Sequence, residues 1–312
     1  MRLLKWLANL LVVATISVAT IPSSYAGAAS PRLLVLYPQI NSAYDAIFEE
    51  IIGGIREHPN VNYSVISVRT STTHDEIRRQ IAQNNIDAVI ALGKKVYDFA
   101  HEFSSELPVI HGGLLLKPDG HSGVSLAGSP KEFFSQLANY APGVKRVFTV
   151  YNEANSGWLI ELANRAAAKH DVELVAYPAK DIRQAVKQFK NILDQSKDSS
   201  DAVWLLMDNV LPDKTIMPMA LDVAWRRRVV LFSSNPSHTR RGALFSLFPD
   251  HYEMGNSLAA LAVIRINQTD PQPLVVPLDN LKISLNRRTA SHLGFRYSSS
   301  LIEKLDLVYP VR

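Results

Sequence analysis

The sequence predicts an α/β fold of two doubly wound parallel-sheet lobes joined by a multi-strand hinge, and three observations carry this. Apolar runs of strand length alternate with longer amphipathic helical runs along the chain. The rhythm restarts once, after a Gly, Ser and Pro-rich passage at residues 112–130. The chain has 312 residues, more than one ordinary domain, and its 47% hydrophobic content can fill two cores.

In the first half, the spacing predicts strands over 33–37 (LLVLY), 61–68, 87–92 (DAVIAL) and 108–111, with helices over 44–57, 74–84 and 96–103 between them. Continuous apolar strands separated by helices imply a parallel sheet covered on both faces. The second half predicts helix 131–140, strand 146–151, helix 155–169, strand 172–177 and helix 182–196. Strand 202–207, helix 214–225 and strand 229–232 follow. Only the order of elements is shared between the halves; no internal repeat relates their residues. Beyond residue 232 the pattern becomes mixed: strand 243–247, helix 252–267, a Pro-rich connector at 270–277, strand 282–285 and helix 287–293. Such a tail can cross back between lobes. The expected organisation is therefore a leader at 1–26, a first lobe at 27–125 and a second at 126–247. Part of 248–280 returns to the first lobe and 281–312 to the second.

The leader is read from a short positive start, Arg2 and Lys5, an apolar run at 6–21 and Ser24-Tyr25-Ala26 as a cleavage site. The apolar run falls short of the roughly 20 residues of a membrane span, so cleavage after Ala26 and release into the periplasm are expected. With no cysteine in the chain, a lipid-anchoring cysteine, a disulfide framework and a thiolate metal site are excluded. The net charge is +4 from 33 basic and 29 acidic residues; without Arg2 and Lys5, 31 basic residues remain, an almost even balance. The dense basic clusters, Arg226-Arg227-Arg228 and Arg240-Arg241, are short and lack interleaved aromatics, so no nucleic-acid partner is expected. The first of them ends a predicted helix, where cations oppose the negative end of the dipole.

Open parallel sheets place ligands outside the carboxyl ends of their strands. The candidate residues are accordingly Tyr37, Asn41, Gly93, Lys94, His111 and Gly112 in the first half, and Asn152, Asn155, Ser156, Asp208, Asn209, Ser234 and Asn235 in the second. Asn41, Asn155 and Ser156 suit either helix capping or a ligand carboxylate held at helix starts. Asp208, the acidic residue directly after the apolar run AVWLLM, suits either a ligand amine or a turn. Tyr37, Tyr151, Trp158 and Tyr252 are the aromatic candidates, each equally readable as core or surface.

Signatures of catalysis and of phosphate binding are missing. The chain has no G-x-S-x-G elbow, no G-x-x-x-x-G-K-[ST] loop, no G-x-G-x-x-G after the first strand and no H-E-x-x-H helix. His111 and His121, with only Asp119 nearby in sequence, make a poor metal set, so neither metal nor cofactor is expected.

Four segments resemble the substrate-binding proteins of ABC-type transporters that include the tryptophan-binding type, which have a type I periplasmic binding fold. They are residues 145–156 (KRVFTVYNEANS), 200–209 (SDAVWLLMDN), 242–255 (GALFSLFPDHYEMG) and 281–294 (LKISLNRRTASHLG). In the first lobe LPVIHGGLLLKPDGHSGVSL replaces two of the family's usual loops, which leaves the ligand open. The resemblance implies periplasmic capture of a small molecule, with amino acids, especially aromatic ones, as the best-known class; a monomer that is not membrane-inserted after processing is expected. Its partner would be an ABC permease or, alternatively, a membrane signalling receptor. A periplasmic enzyme using the same cleft would need an acid–base pair that the spacing does not supply.

Overall fold

The computed structural model describes residues 30–39, 45–269 and 272–310, so the leader and Asn41 lie outside the described residues. In chain order the first half runs β1 (Arg32–Pro38), α1 (Asp45–Glu57), β2 (Asn62–Val68), α2 (His74–Asn84) and β3 (Ala88–Leu92). It continues with α3 (Lys94–Ala100), β4 (Val109–Gly112) and β5 (Ser122–Gly128). The second half has α4 (Pro130–Tyr140), β6 (Arg146–Tyr151), α5 (Glu153–Ala168), β7 (Glu173–Pro178), α6 (Ile182–Gln195) and β8 (Asp201–Leu205). Next come α7 (Asp213–Arg227), β9 (Val230–Ser233), α8 (Pro236–Arg241) and β10 (Phe245–Pro249). The tail comprises α9 (His251–Ile266), β11 (Val275–Leu278), β12 (Leu281–Asn286), α10 (Arg287–Leu293), α11 (Ser299–Ile302) and β13 (Leu307–Tyr309).

Local chemistry sets several boundaries. Thr73 caps α2 by accepting from Glu76 N, Asp181 caps α6 from Gln184 N, and Asp250 caps α9 from Tyr252 N and Glu253 N. On α6, Ala185, Phe189, Ile192 and Leu193 are buried at the spacing of one helical face, which pins that face to the sheet. β1 shows the two-sided burial of a central parallel strand. Leu33 and Val35 join the core under α1 and α9, while Leu34 and Leu36 join the core under α2 and α3.

The first sheet has the order β11-β5-β4-β3-β1-β2, with every pairing parallel. The second has the order β13-β12-β10-β9-β8-β6-β7 and is parallel except at β10–β12, where Phe245 pairs with Leu285 and Pro249 with Leu281. Arg146 stands opposite Asp201 in the β6–β8 register and grips it with two bonds of 3.0 Å.

Three strands were not expected: β5, β11 and the short edge strand β13. β5 lies in the Gly and Ser-rich passage, where small residues hide the strand pattern although six of its seven residues are buried. β11 contains Pro277 and occupies an edge, the position where a strand tolerates a missing N–H.

The chain passes between the sheets three times among the described residues: after β5, after β10 into α9, and after β11 into β12. α9 belongs with the first sheet because it packs on α1, β3 and β4. Its fit depends on glycine. A Cβ on Gly54 would collide with Tyr252 O, and one on Gly255 with Ile51 O, so the two helix backbones touch where side chains would hold them apart. The three crossings run side by side. Ser129 N donates to Leu278 O at 2.8 Å and Asp250 N to Asn280 O at 3.3 Å, tying them into one hinge.

Candidate ligand cleft

The carboxyl ends of both sheets face a cavity of about 330 Å³. That is the small end of the range for ligand sites. The first lobe supplies Lys94 and Tyr97 from α3 and the loop after β4, including Leu114, Leu116 and Lys117. The second supplies Asn155, Ser156 and Trp158 from the start of α5 and Met207, Asp208 and Asn209 after β8. Lys117 reaches across to donate from Nζ to Ala154 O at 3.1 Å, so one side chain already spans the two lobes.

Gly93 opens α3 with φ +77°, a left-handed conformation costly for any other residue type, and its N–H donates to Gly112 O at 2.8 Å. This turn aims Lys94 and Tyr97, one helical turn apart, at the same cavity. The Lys94 ammonium sits 4.7 Å from the Tyr97 ring centre and 3.2 Å from Asp98.

The second-lobe wall is held by one carboxylate. Asp208 Oδ2 accepts from Ser156 Oγ at 2.6 Å and from Asn152 N at 2.9 Å, and Oδ1 accepts from Val210 N at 3.1 Å. Asn155 Nδ2 donates to Asn209 Oδ1 at 3.1 Å and joins the same two loops again. Asp208 thus fastens the start of α5 to the end of β8, leaving one lone-pair direction of its carboxylate for a further donor.

A polar chain runs back from Tyr97 and Asp119 of the first-lobe wall. The Tyr97 hydroxyl donates to Asp119 Oδ2 at 2.9 Å and lies 2.8 Å from His121 Nδ1; His121 Nε2 is 2.9 Å from His101 Nδ1. Burial, then the neighbouring Asp119 carboxylate, pushes the Tyr97 hydroxyl well above its usual pKa. Burial alone would raise Asp119, but its bonds from His121 and Tyr97 outweigh this and hold it below the usual range. His111 is fully buried, its ring 4.5 Å from that of Tyr97, and among the described residues neither ring nitrogen has a hydrogen-bond partner. Burial, reinforced by His121, lowers its pKa to about 4, so the ring is neutral at pH 7. Among the described residues no group of three or more His, Cys, Asp or Glu is arranged to hold a metal.

Five of the sequence candidates, Lys94, Asn155, Ser156, Asp208 and Asn209, line the cavity together. Ser234 and Asn235 line an adjoining recess of about 190 Å³ that shares Met207 and Asp208 with it. Asn152 stands behind the wall, with Nδ2 donating to Ala179 O at 3.2 Å. The Tyr37 ring lies 6.4 Å from that of Phe48; Gly93 forms the turn into α3 and His111 and Gly112 end β4, beneath the cleft rather than in its lining. Of the aromatic candidates only Trp158 lines the cavity; Tyr151 bonds Glu153 at 2.7 Å, and Tyr252 bonds Glu57 on α1 at 2.7 Å. The strand-end rule missed Tyr97, Leu114, Leu116 and Lys117. Tyr97 was missed because the predicted helix began at residue 96; with α3 starting at Lys94, position i+3 puts Tyr97 on the face of Lys94.

A family model described as ABC transporter substrate binding protein matches residues 53–308. Among solved structures, the ligand-free, open form of a Clostridium difficile substrate binding protein with adhesive properties superposes with a TM-score of 0.57 at 17% identity. The ABC domain from Streptococcus pneumonia in complex with L-Trp gives 0.51 at 17%, and a conserved domain protein from Vibrio cholerae gives 0.50 at 20%. Each alignment covers 89% of this chain and 99% of the other. These likenesses establish the type I periplasmic binding fold. No curated protein matches the sequence.

Proposed function

Because this chain belongs to the ABC transporter substrate binding protein family, we propose that it captures a small amino-acid-like molecule with an apolar, preferably aromatic, side chain in the cleft. It would then present the molecule to an ABC permease. The observation that carries this reading is the division of labour in the cavity. Trp158 with Leu114 and Leu116 offers an apolar bed; Lys94 and Lys117 offer positive charge, and Asp208 and Asn209 offer acceptors. A zwitterion with an apolar side chain needs all three. The L-Trp complex of the Streptococcus pneumonia relative supports the same ligand class.

In this reading the ligand works as a bridge. Lys117 crosses to α5, and a molecule contacting both walls favours the closed arrangement by its differential affinity, pivoting on the three hinge connections. The permease recognises the closed form. The protein acts as a monomer in the periplasm after loss of residues 1–26, with lobes at 27–125 and 126–247 and the tail shared between them. It binds its ligand without altering it: Asp208, which accepts from Ser156 Oγ, also accepts from Asn152 N and Val210 N, so the pair is committed to fastening two loops.

Mass spectrometry of molecules released from natively purified protein, followed by calorimetry with the free amino acids, tests the reading. The expected result is an unaltered amino acid or close analogue binding one to one. Recovery of a different chemical class, with no amino acid binding at millimolar concentration, would overturn it.

A further inference from the structure

A larger cavity, of about 700 Å³, lies in the second lobe away from the cleft. It opens where Asn286 ends β12 and Tyr309 ends β13. Because β12 runs antiparallel to β10, these ends coincide with the start of the parallel strands, opposite the end that carries Asp208 and Asn152. The floor is apolar, with Val229, Leu231 and Leu293 buried. One wall is Trp225, 44% exposed. That ring is held in place. His292 stacks on it at 3.6 Å and 5°, and His292 Nε2 is bonded to Trp225 O at 2.8 Å.

The rim is basic. Arg240, Arg241 and Arg288 all border the cavity. Arg241 is engaged by Asp213 at 2.9 Å, whereas Arg240 and Arg288 are in none of the ion pairs found among the described residues. The acidic neighbour, Asp222, is taken by Arg226. Two basic segments far apart in sequence therefore converge over one apolar pocket with a fixed, half-exposed indole wall.

We propose that this cavity is a second binding site, for an amphipathic monocarboxylate. Its carboxylate meets Arg240 and Arg288 at the rim, and its apolar body lies on Trp225 and Leu293. Guanidinium groups suit a planar carboxylate, and an apolar body suits a floor whose buried polar residues, Asn286 and Thr289, are already hydrogen-bonded within the lobe. The site is separate from the cleft and does not depend on what the cleft binds.

The test uses 3-phenylpropanoate and its uncharged amide, titrated into the full mature chain by tryptophan fluorescence and by calorimetry. Binding of the carboxylate should change the Trp225 emission, and the amide should bind about fivefold more weakly, as expected for two exposed charge contacts. The double variant Arg240→Gln with Arg288→Gln should lose the same factor while its unliganded melting temperature stays unchanged. Trp225→Phe should abolish the fluorescence response. No binding at millimolar carboxylate, equal affinity for the amide, or affinity indifferent to the arginine replacements would overturn the proposal. The last result would place the probe in the cleft.

Discussion

The Ser156 hydroxyl donates to Asp208 Oδ2 at 2.6 Å, and the same oxygen accepts Asn152 N–H at 2.9 Å, so one carboxylate joins the start of α5 to the end of β8. Replacing Asp208 with Asn puts an NH₂ group or a single oxygen where these donors converge. Unliganded stability should fall by about 1–3 kcal/mol. Ser156→Ala should cost about 1 kcal/mol, and the double variant should lose less than the sum. Urea unfolding of the four proteins checks this; strict additivity would show that the two residues act independently.

Trp158 should determine preference for aromatic ligands. Trp158→Leu keeps apolar cover over the neighbouring core but removes the indole face, so affinity for an aromatic amino acid should drop about tenfold. Aliphatic ligands should change much less. Calorimetry on both classes separates a specific aromatic contact from a general loss of packing.

His111 gives the protein a sensitivity to acid. It is buried without a hydrogen-bond partner among the described residues, and its folded pKa, lowered to about 4 by burial and by His121, lies below the unfolded value. His101 pushes the same way, and Asp119 and Asp98 oppose it only partly. The unfolded state therefore binds the proton more readily, and stability present at pH 7 is lost as pH falls from about 6.5 towards 4. At pH 5 the loss from this residue is about 2 kcal/mol. His111→Leu should remove that portion of the decline, as urea midpoints at pH 7.5 and 5 would reveal. An identical pH dependence in parent and variant would contradict it.

The α1–α9 contact tolerates no side chain at its centre. Gly255→Ala places a methyl group against Ile51 O, and relief requires the helices to separate. A loss of about 3 kcal/mol is expected, at the upper end for overpacking. Gly143, which has open space around its Cα, serves as the control: Gly143→Ala should leave the urea midpoint nearly unchanged.

The strand-end rule identified part of the cleft. Lys94, Asn155, Ser156, Asp208 and Asn209 lie within a few residues of the ends of β3, β6 and β8, and a parallel sheet must present such residues along one edge. The rule could not choose among loops on that edge. Ser234 and Asn235 occupy equivalent positions yet line an adjoining recess, and Tyr37 faces Phe48. Leu114, Leu116 and Lys117 belong to an irregular segment with no periodic signal, and they reach the cavity only because β5 and Lys117 position that segment over α5.

By itself the sequence determined the alternation of strands and helices, the restart of that rhythm and the side of each sheet on which ligands gather. Apolar run length and helical spacing are local properties, written into neighbouring residues. Tertiary structure decided the rest. β5 and β11 became strands because partners satisfied backbone groups in segments whose own Gly, Ser and Pro content favours turns. The return of α9 towards the first lobe was expected from the mixed tail, but its close seat on α1 exists because Gly54 and Gly255 meet across 200 residues of intervening chain. Asp208, legible as a cleft residue, became the fastener of that wall because Ser156, Asn152 and Val210 brought their donors to it, an arrangement that no spacing along the chain specifies.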